Sequence, residues 1–188
     1  MSDPDYKERD RQWVKEMQNG REDAFERLFL AYYDNLCAFA SQYVSSSQDV
    51  EDLVQEVFLS VWERRKALDP QQSIRAYLYK ATRNGALKNL NREQRWPTVQ
   101  RELQEHSLRG RPGEQLEHSE VEADVWEAVN ALPERRREIF LLSRQHGLTY
   151  AEVAELLDIS IKTVETQMGR ALRYLEEELP ELARSNVK

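Results

Sequence analysis

Apolar residues between Asp49 and Arg65 return with the period of an α-helix. Leu53, Val54, Val57, Phe58, Val61 and Trp62 fall at i, i+1, i+4, i+5, i+8 and i+9, a single stripe along one side. The same period runs from Phe25 to Tyr43 through Phe25, Leu28, Phe29, Tyr32, Leu36, Phe39 and Tyr43. It returns from Ser73 to Leu90, where Ile74, Tyr77, Leu78, Ala81 and Leu87 make the expected buried side and Ser73 the N-cap. No stretch sustains the two-residue alternation of a half-buried strand. The expectation is an all-α fold.

The period lapses between Trp96 and Glu120, a polar stretch containing Pro97, Gly110, Pro112 and Gly113. It resumes at Val121, Val125, Trp126, Val129 and Leu132, and Pro133 closes that helix. Three further helices are expected at roughly Glu134 to Gln145, Tyr150 to Leu157 and Ile161 to Leu179. The organisation read from this is an N-terminal extension (1–19), a helical domain (20–95), a flexible linker (96–120), a second helical domain (121–180) and a short tail (181–188).

Bulk properties set limits on function. The single cysteine, Cys37, excludes an internal disulfide framework, and its apolar neighbours suggest a buried small hydrophobe. Residues 1–15 are too charged for a secretory signal, and no apolar run nears the ~20 residues a membrane helix needs. A soluble, cytoplasmic protein is expected. His106, His118 and His146 are scattered, and there is no H-x-x-x-H or C-x-x-C pair and no Gly-rich phosphate loop. The sequence therefore offers no catalytic residues, no metal site and no cofactor, and an enzyme is not expected.

Charge is distributed unevenly. Asp49, Glu51, Asp52, Glu56 and Glu63 occupy one helix without a Lys or Arg. The stretch that follows carries Arg64, Arg65, Lys66, Arg75, Lys80, Arg83, Lys88, Arg92 and Arg95 against Asp69 and Glu93. An acidic surface suits a basic partner, and cations crowded on the next helix suit a polyanion.

Near the C-terminus, Thr149 and Glu152 form a capping box, T-x-x-E. Ala154 is small enough for a close helix crossing, with Val153, Leu157, Ile159 and Val164 as apolar contacts. Asp158 stands where the chain must turn sharply, and Asp tolerates a left-handed backbone. Ser160 can cap the next helix. The pattern reads as a helix-turn-helix whose second helix enters a major groove, with Lys162, Thr163, Thr166 and Gln167 exposed early and Arg170 and Arg173 further along. The run Arg135-Arg136-Arg137 is either a phosphate contact or solvated surface.

Together these blocks resemble the sigma-70 family, in its extracytoplasmic-function (ECF) group, over about Trp13 to Leu179. Asp49-Val-Glu-Asp-Leu-Val-Gln-Glu-Val-Phe-Leu-Ser-Val-Trp62, Ala76-Tyr-Leu-Tyr-Lys-Ala-Thr-Arg-Asn84 and the upstream Asn19-Gly-Arg-Glu-Asp-Ala-Phe25 resemble region 2. Leu132-Pro-Glu-Arg-Arg-Arg-Glu-Ile-Phe-Leu-Leu142, Leu148-Thr-Tyr-Ala-Glu-Val-Ala154, Thr163-Val164 and Arg170-Ala-Leu172 resemble region 4.

The resemblance implies a sigma factor. Its partners would be the core of RNA polymerase, through the largest-subunit clamp helices and the flap, then promoter DNA and an anti-sigma factor, with no direct insertion into a membrane. It assigns polymerase binding to Asp52, Gln55 and Glu56. It assigns the −10 element to Tyr77, Lys80, Arg83, Asn84, Lys88, Asn89 and Arg92, Tyr77 fitting the core equally well. It assigns the −35 element to Ser160, Lys162, Thr163, Thr166, Gln167, Arg170 and Arg173. Asp158 departs from the glycine usual there. Glu165 would either repel phosphate or accept from cytosine. The linker would thread toward nascent RNA or serve as a plain spacer.

A formal net charge of −7 fits a protein that binds DNA weakly alone and relies on a partner for non-specific affinity. A free-standing helix-turn-helix regulator is the alternative; it leaves the acidic helix without a role.

Overall fold

The computed structural model describes residues 3–93 and 120–179, apart from the side chains of 3–5, 89–93 and 120–123. Eight α-helices and no strand occur among the described residues. They fall in two compact units, Met1–Gly110 and Arg111–Lys188. Of the expected linker (96–120) only Glu120 is described, and the tail 181–188 lies outside the described residues.

The first unit holds α1 (Asp3–Gln18), α2 (Glu22–Ala40), α3 (Ser47–Glu63) and α4 (Ile74–Glu93), with a short 3₁₀ turn at Arg65–Ala67. Residues 1–19, set apart above as an extension, belong to this unit: α1 packs on α2, on α4 and on the 3₁₀ turn. Val14 and Met17 of α1 are fully buried. A polar anchor joins them. Asp10, only 6% exposed, accepts at Oδ1 from both Nε (3.0 Å) and Nη2 (2.7 Å) of Arg9 and at Oδ2 from the Tyr32 hydroxyl of α2. The Arg9 guanidinium lies over the rings of Tyr6 (4.8 Å) and Trp13 (4.4 Å). Burial, then the Asp10 carboxylate, pushes the Tyr32 phenol well above its ordinary pKa. It therefore stays a donor to Asp10 at any physiological pH. Gly20, at φ +83°, supplies the left-handed backbone that ends α1 and starts the turn into α2.

Ser46 caps α3 by accepting from the Asp49 amide (3.3 Å), and Ser73 caps α4 by accepting from Ala76 (3.1 Å). The expected stripe of α3 is its buried face, Trp62 alone being half-buried. For α4 the expected side needs correction. Ile74, Ala76, Leu78, Tyr79, Thr82 and Ala86 are buried, whereas Tyr77, Ala81 and Leu87 are half-buried. The reason is that α4 packs against α1, α2 and α3 together, so no single stripe faces the core. Tyr79 is the largest fully buried side chain and meets Phe39 at 5.0 Å between ring centroids. Gly85 faces α3: a Cβ there would sit 2.4 Å from Leu53 Cδ1, and that side chain would have to shift. A mid-helix glycine costs roughly 1 kcal/mol against alanine, so this close approach is its evident use.

The second unit holds α5 (Glu120–Ala131), α6 (Glu134–Arg144), α7 (Tyr150–Leu157) and α8 (Ile161–Glu178). Its core is Val129, Leu132, Ile139, Leu142, Leu148, Val153, Leu156, Val164, Met168 and Ala171. The expected capping box is present in both directions, Glu152 N to Thr149 Oγ1 (3.3 Å) and Thr149 N to Glu152 Oε2 (2.9 Å). Asp158 is left-handed (φ 54°, ψ 50°) and Ser160 accepts from the Thr163 amide at 3.0 Å. These local signals set the turn between α7 and α8.

Candidate functional site: two exposed helix faces and a helix-turn-helix

In the first unit, Asp52, Gln55 and Glu56 are exposed on the side of α3 away from its buried stripe. Glu63 continues that face one turn beyond Leu59, which is 57% exposed among the acids. Leu59 was not anticipated, although it is the one large apolar residue of α3 outside the helical stripe. Beside this face runs an aromatic ridge. Phe29 meets Phe58 at 4.8 Å and Tyr33 at 4.7 Å, and Phe25 meets Trp62 at 5.2 Å. The Tyr33 hydroxyl bonds to Gln55 and to Cys37, and desolvation raises its pKa. Cys37 is half-buried rather than buried as expected, and burial holds its thiol above its usual range, away from the reactive thiolate.

On α4, Tyr77, Lys80, Asn84 and Lys88 stand at i, i+3, i+7 and i+11, one face of the helix. Asn84 and Lys88 are exposed, and Tyr77 and Lys80 half-buried. Arg83 is half-buried and lies about a third of a turn away, at the 100° advance per residue of an α-helix. Asn89 and Arg92 are in the helix, but their side chains lie outside the described ones. Tyr77 thus lies on the polar face, and its neighbour Tyr79 fills the core. A face of amide, phenol and ammonium groups can stack on and hydrogen-bond an unpaired nucleic-acid strand while neutralising its phosphates.

In the second unit, Lys162, Thr166 and Arg173 are exposed on α8 opposite its buried side chains, with Thr163 and Arg170 beside them. Lys162 pairs with Glu165 (3.2 Å), and Thr166 Oγ1 donates to the Lys162 carbonyl (2.8 Å). Ser160 is exposed, but its hydroxyl serves as the cap and also meets Thr163 Oγ1 (2.8 Å). Gln167 is set apart from the exposed group. It is half-buried, and its Oε1 accepts from Arg136 Nε of α6 at 3.4 Å.

The arginine run has internal roles. Arg135 donates to the Leu157 carbonyl (3.1 Å) and pairs with Glu138 (2.8 Å), and Arg137 donates to the Asn130 carbonyl (2.7 Å). With the Arg136–Gln167 bond, they tie α6 to α7, α5 and α8. The sequence missed Ile161, the first residue of α8, which is 49% exposed. It stands three, seven and ten residues before Val164, Met168 and Ala171, on the same side of α8, so periodicity alone would bury it; its exposure comes with its place at the start of the helix. Among the described residues no group of His, Cys, Asp and Glu is placed to hold a metal ion.

Comparison with known proteins fits this division. The family description "Sigma-70 region 2" matches residues 28–96, and "Sigma-70, region 4" matches residues 122–175. The chain is 27% identical over 183 residues to the ECF RNA polymerase sigma-E factor of Haemophilus influenzae, covering 92% of this chain and 96% of that one. It is 27% identical over 187 residues to the RNA polymerase sigma-H factor of Pseudomonas aeruginosa (94% and 97%). Among solved structures it resembles CnrH bound to the cytosolic domain of CnrY, at 26% identity and a TM-score of 0.63 over 92% of this chain and 98% of that one. The fold is also that of the sigma factor RpoE in complex with the anti-sigma factor NepR from Bartonella quintana (23% identity, TM-score 0.58, 83% and 96%). With regions 2 and 4 in this order and nearly the full length of its relatives spanned, the chain belongs to the sigma-70 family, in the ECF group.

Proposed function

We infer that this chain is a sigma factor: it binds core RNA polymerase and directs promoter-specific initiation of transcription. The observation that carries this is the pairing of regions 2 and 4 on one chain with relatives named as RNA polymerase sigma factors along its length. The exposed Asp52-Gln55-Glu56 face gives the polymerase a charged, hydrogen-bonding contact, with Leu59 as its apolar centre. The Tyr77-Lys80-Asn84-Lys88 face, with Arg83, Asn89 and Arg92 on the same helix, takes the −10 strand. Ser160, Lys162, Thr163, Thr166, Arg170 and Arg173 take the −35 duplex, with Gln167 set by Arg136.

The chain acts by binding rather than by catalysis, in the bacterial cytoplasm where polymerase works. No described helix is long and apolar enough to cross a membrane. Control by an anti-sigma factor is part of the proposal. Its support is that CnrH, which this chain resembles, was solved with a second protein.

The test is transcription in vitro with core polymerase and genomic promoter fragments. Discrete start sites appear with the chain. They are lost, on the order of 100-fold, when Asp52, Gln55 and Glu56 are all replaced by Ala, since each such truncation at a contact centre costs ~1 kcal/mol or more. If no start sites appear, and the chain footprints DNA without core, a free-standing regulator replaces this reading.

A further inference from the structure

The ring of Tyr33 is needed for packing, but its hydroxyl is not. The ring stacks on Phe29 (4.7 Å between centroids, 26° between planes), and Phe29 meets Phe58 of α3 at 4.8 Å. A phenylalanine would serve that contact as well. The hydroxyl bonds instead to Gln55 of α3 and to Cys37, one turn further along α2. Desolvation, before all else, holds the phenol above its ordinary pKa, so it is neutral at neutral pH. Gln55 is exposed on the outward face of α3 with Asp52 and Glu56. A free glutamine side chain samples many rotamers, and fixing them costs free energy when a partner binds. The bond to Tyr33 fixes them in advance. It also sets the polarity of the amide. The Gln55 bond acts to lower the phenol pKa, against the trend of burial. That is the effect of an N–H given to the phenol oxygen. The amide carbonyl is then the end left for a partner, beside two carboxylates. Three acceptors side by side suit a partner surface that carries donors alone, guanidinium or ammonium groups.

We propose that Tyr33 is a positioning residue of the polymerase contact: its hydroxyl holds the Gln55 amide in place with the carbonyl outward, beside the Asp52 and Glu56 carboxylates. This rests on the polymerase-binding reading above and adds to it a residue from a second helix. Tyr33 acts through Gln55, while Phe29 and Phe58 keep its ring in register.

The experiment measures the affinity of the full chain for core polymerase in a double-mutant cycle, with Tyr33→Phe, Gln55→Ala and the two together. Tyr33→Phe removes one oxygen and keeps the ring. It should weaken binding about fivefold, the worth of one ordinary hydrogen bond. In a chain that already carries Gln55→Ala it should weaken binding no further. A spectroscopic signature accompanies this. In the free chain, the Gln55 side-chain amide signals in an NMR spectrum should move in Tyr33→Phe toward those of solvated glutamines. Thermal melts of all three variants, taken beside the binding data, show that each is folded at the temperature of the assay.

If Tyr33→Phe binds core as tightly as the parent chain, the proposal is overturned and the sigma reading stands. It is equally overturned if the loss is as large with Gln55→Ala as without it, because Tyr33 then acts through the fold or touches the polymerase itself. If the parent chain does not bind core, the polymerase-binding reading falls and this proposal with it.

Discussion

The two units are built on different principles. In the second, position is decided locally. A capping box starts α7, a left-handed Asp158 ends it, and Ser160 starts α8 three residues after Leu157. In the first, position is decided by burial across the chain. Tyr79 of α4 rests on Phe39 of α2, and α1 is held by the Arg9–Asp10–Tyr32 cluster. Local signals occupy fixed offsets and are readable one segment at a time. Burial depends on partners distant in sequence, so the same residues are ambiguous until the partners are placed.

The largest test of that contrast is at Tyr79. Tyr79→Ala should cost about 3–5 kcal/mol, the range for emptying a large core site, and lower the unfolding midpoint of the first unit alone. Tyr77→Ala, a little over half a turn away on the polar face, should cost less than about 1 kcal/mol. Denaturant melts of both variants check this, and equal losses would erase the distinction between core and face.

Asp158→Val is the counterpart in the second unit. A β-branched residue in left-handed backbone should cost about 1–3 kcal/mol, with Thr149→Ala costing about 1 kcal/mol from the lost cap. Melting of the second unit should move while the first does not. If Thr149→Ala proved the more damaging of the two, the backbone at Asp158 would not be the deciding element.

The smallest effect concerns pH. Gln12 and Arg27 hydrogen bonds hold the Glu16 carboxylate below its ordinary value of 4.5. A carboxylate depressed on folding stabilises the fold above its unfolded pKa and loses that contribution as pH falls through the folded value. The α1–α2 junction should therefore weaken only below about pH 4.5. Glu16→Gln should flatten that part of the stability profile, measured by melting between acid and neutral pH.

The fold class, the two-domain division and seven of the helices, α2 to α8, follow from periodicity and punctuation in the sequence. The eighth, α1, was hidden because its apolar residues Trp13, Val14 and Met17 are diluted by charges, and part of what anchors it is ionic. The buried side of α4 was misread because three neighbours surround the helix. Within the candidate site, the acidic α3 face and the exposed cations of α8 stand where periodicity put them. The bond from Arg136 to Gln167 was illegible, since 31 residues separate the two. Leu59 was legible in principle, as an apolar residue off the stripe of its own helix, but helical patterning directs attention to what fits it; the exposure of Ile161 was not, since it lies on its helix's apolar side.

Gly85 has a mechanical meaning beyond packing. With only a hydrogen at Gly85, the Leu53 side chain of α3 rests close to the backbone of α4. A displacement of one helix is met directly by the other. Under the proposed function, whatever seats α3 on the polymerase also aims α4 at the DNA. Recruitment and strand presentation are then joined through one packed contact.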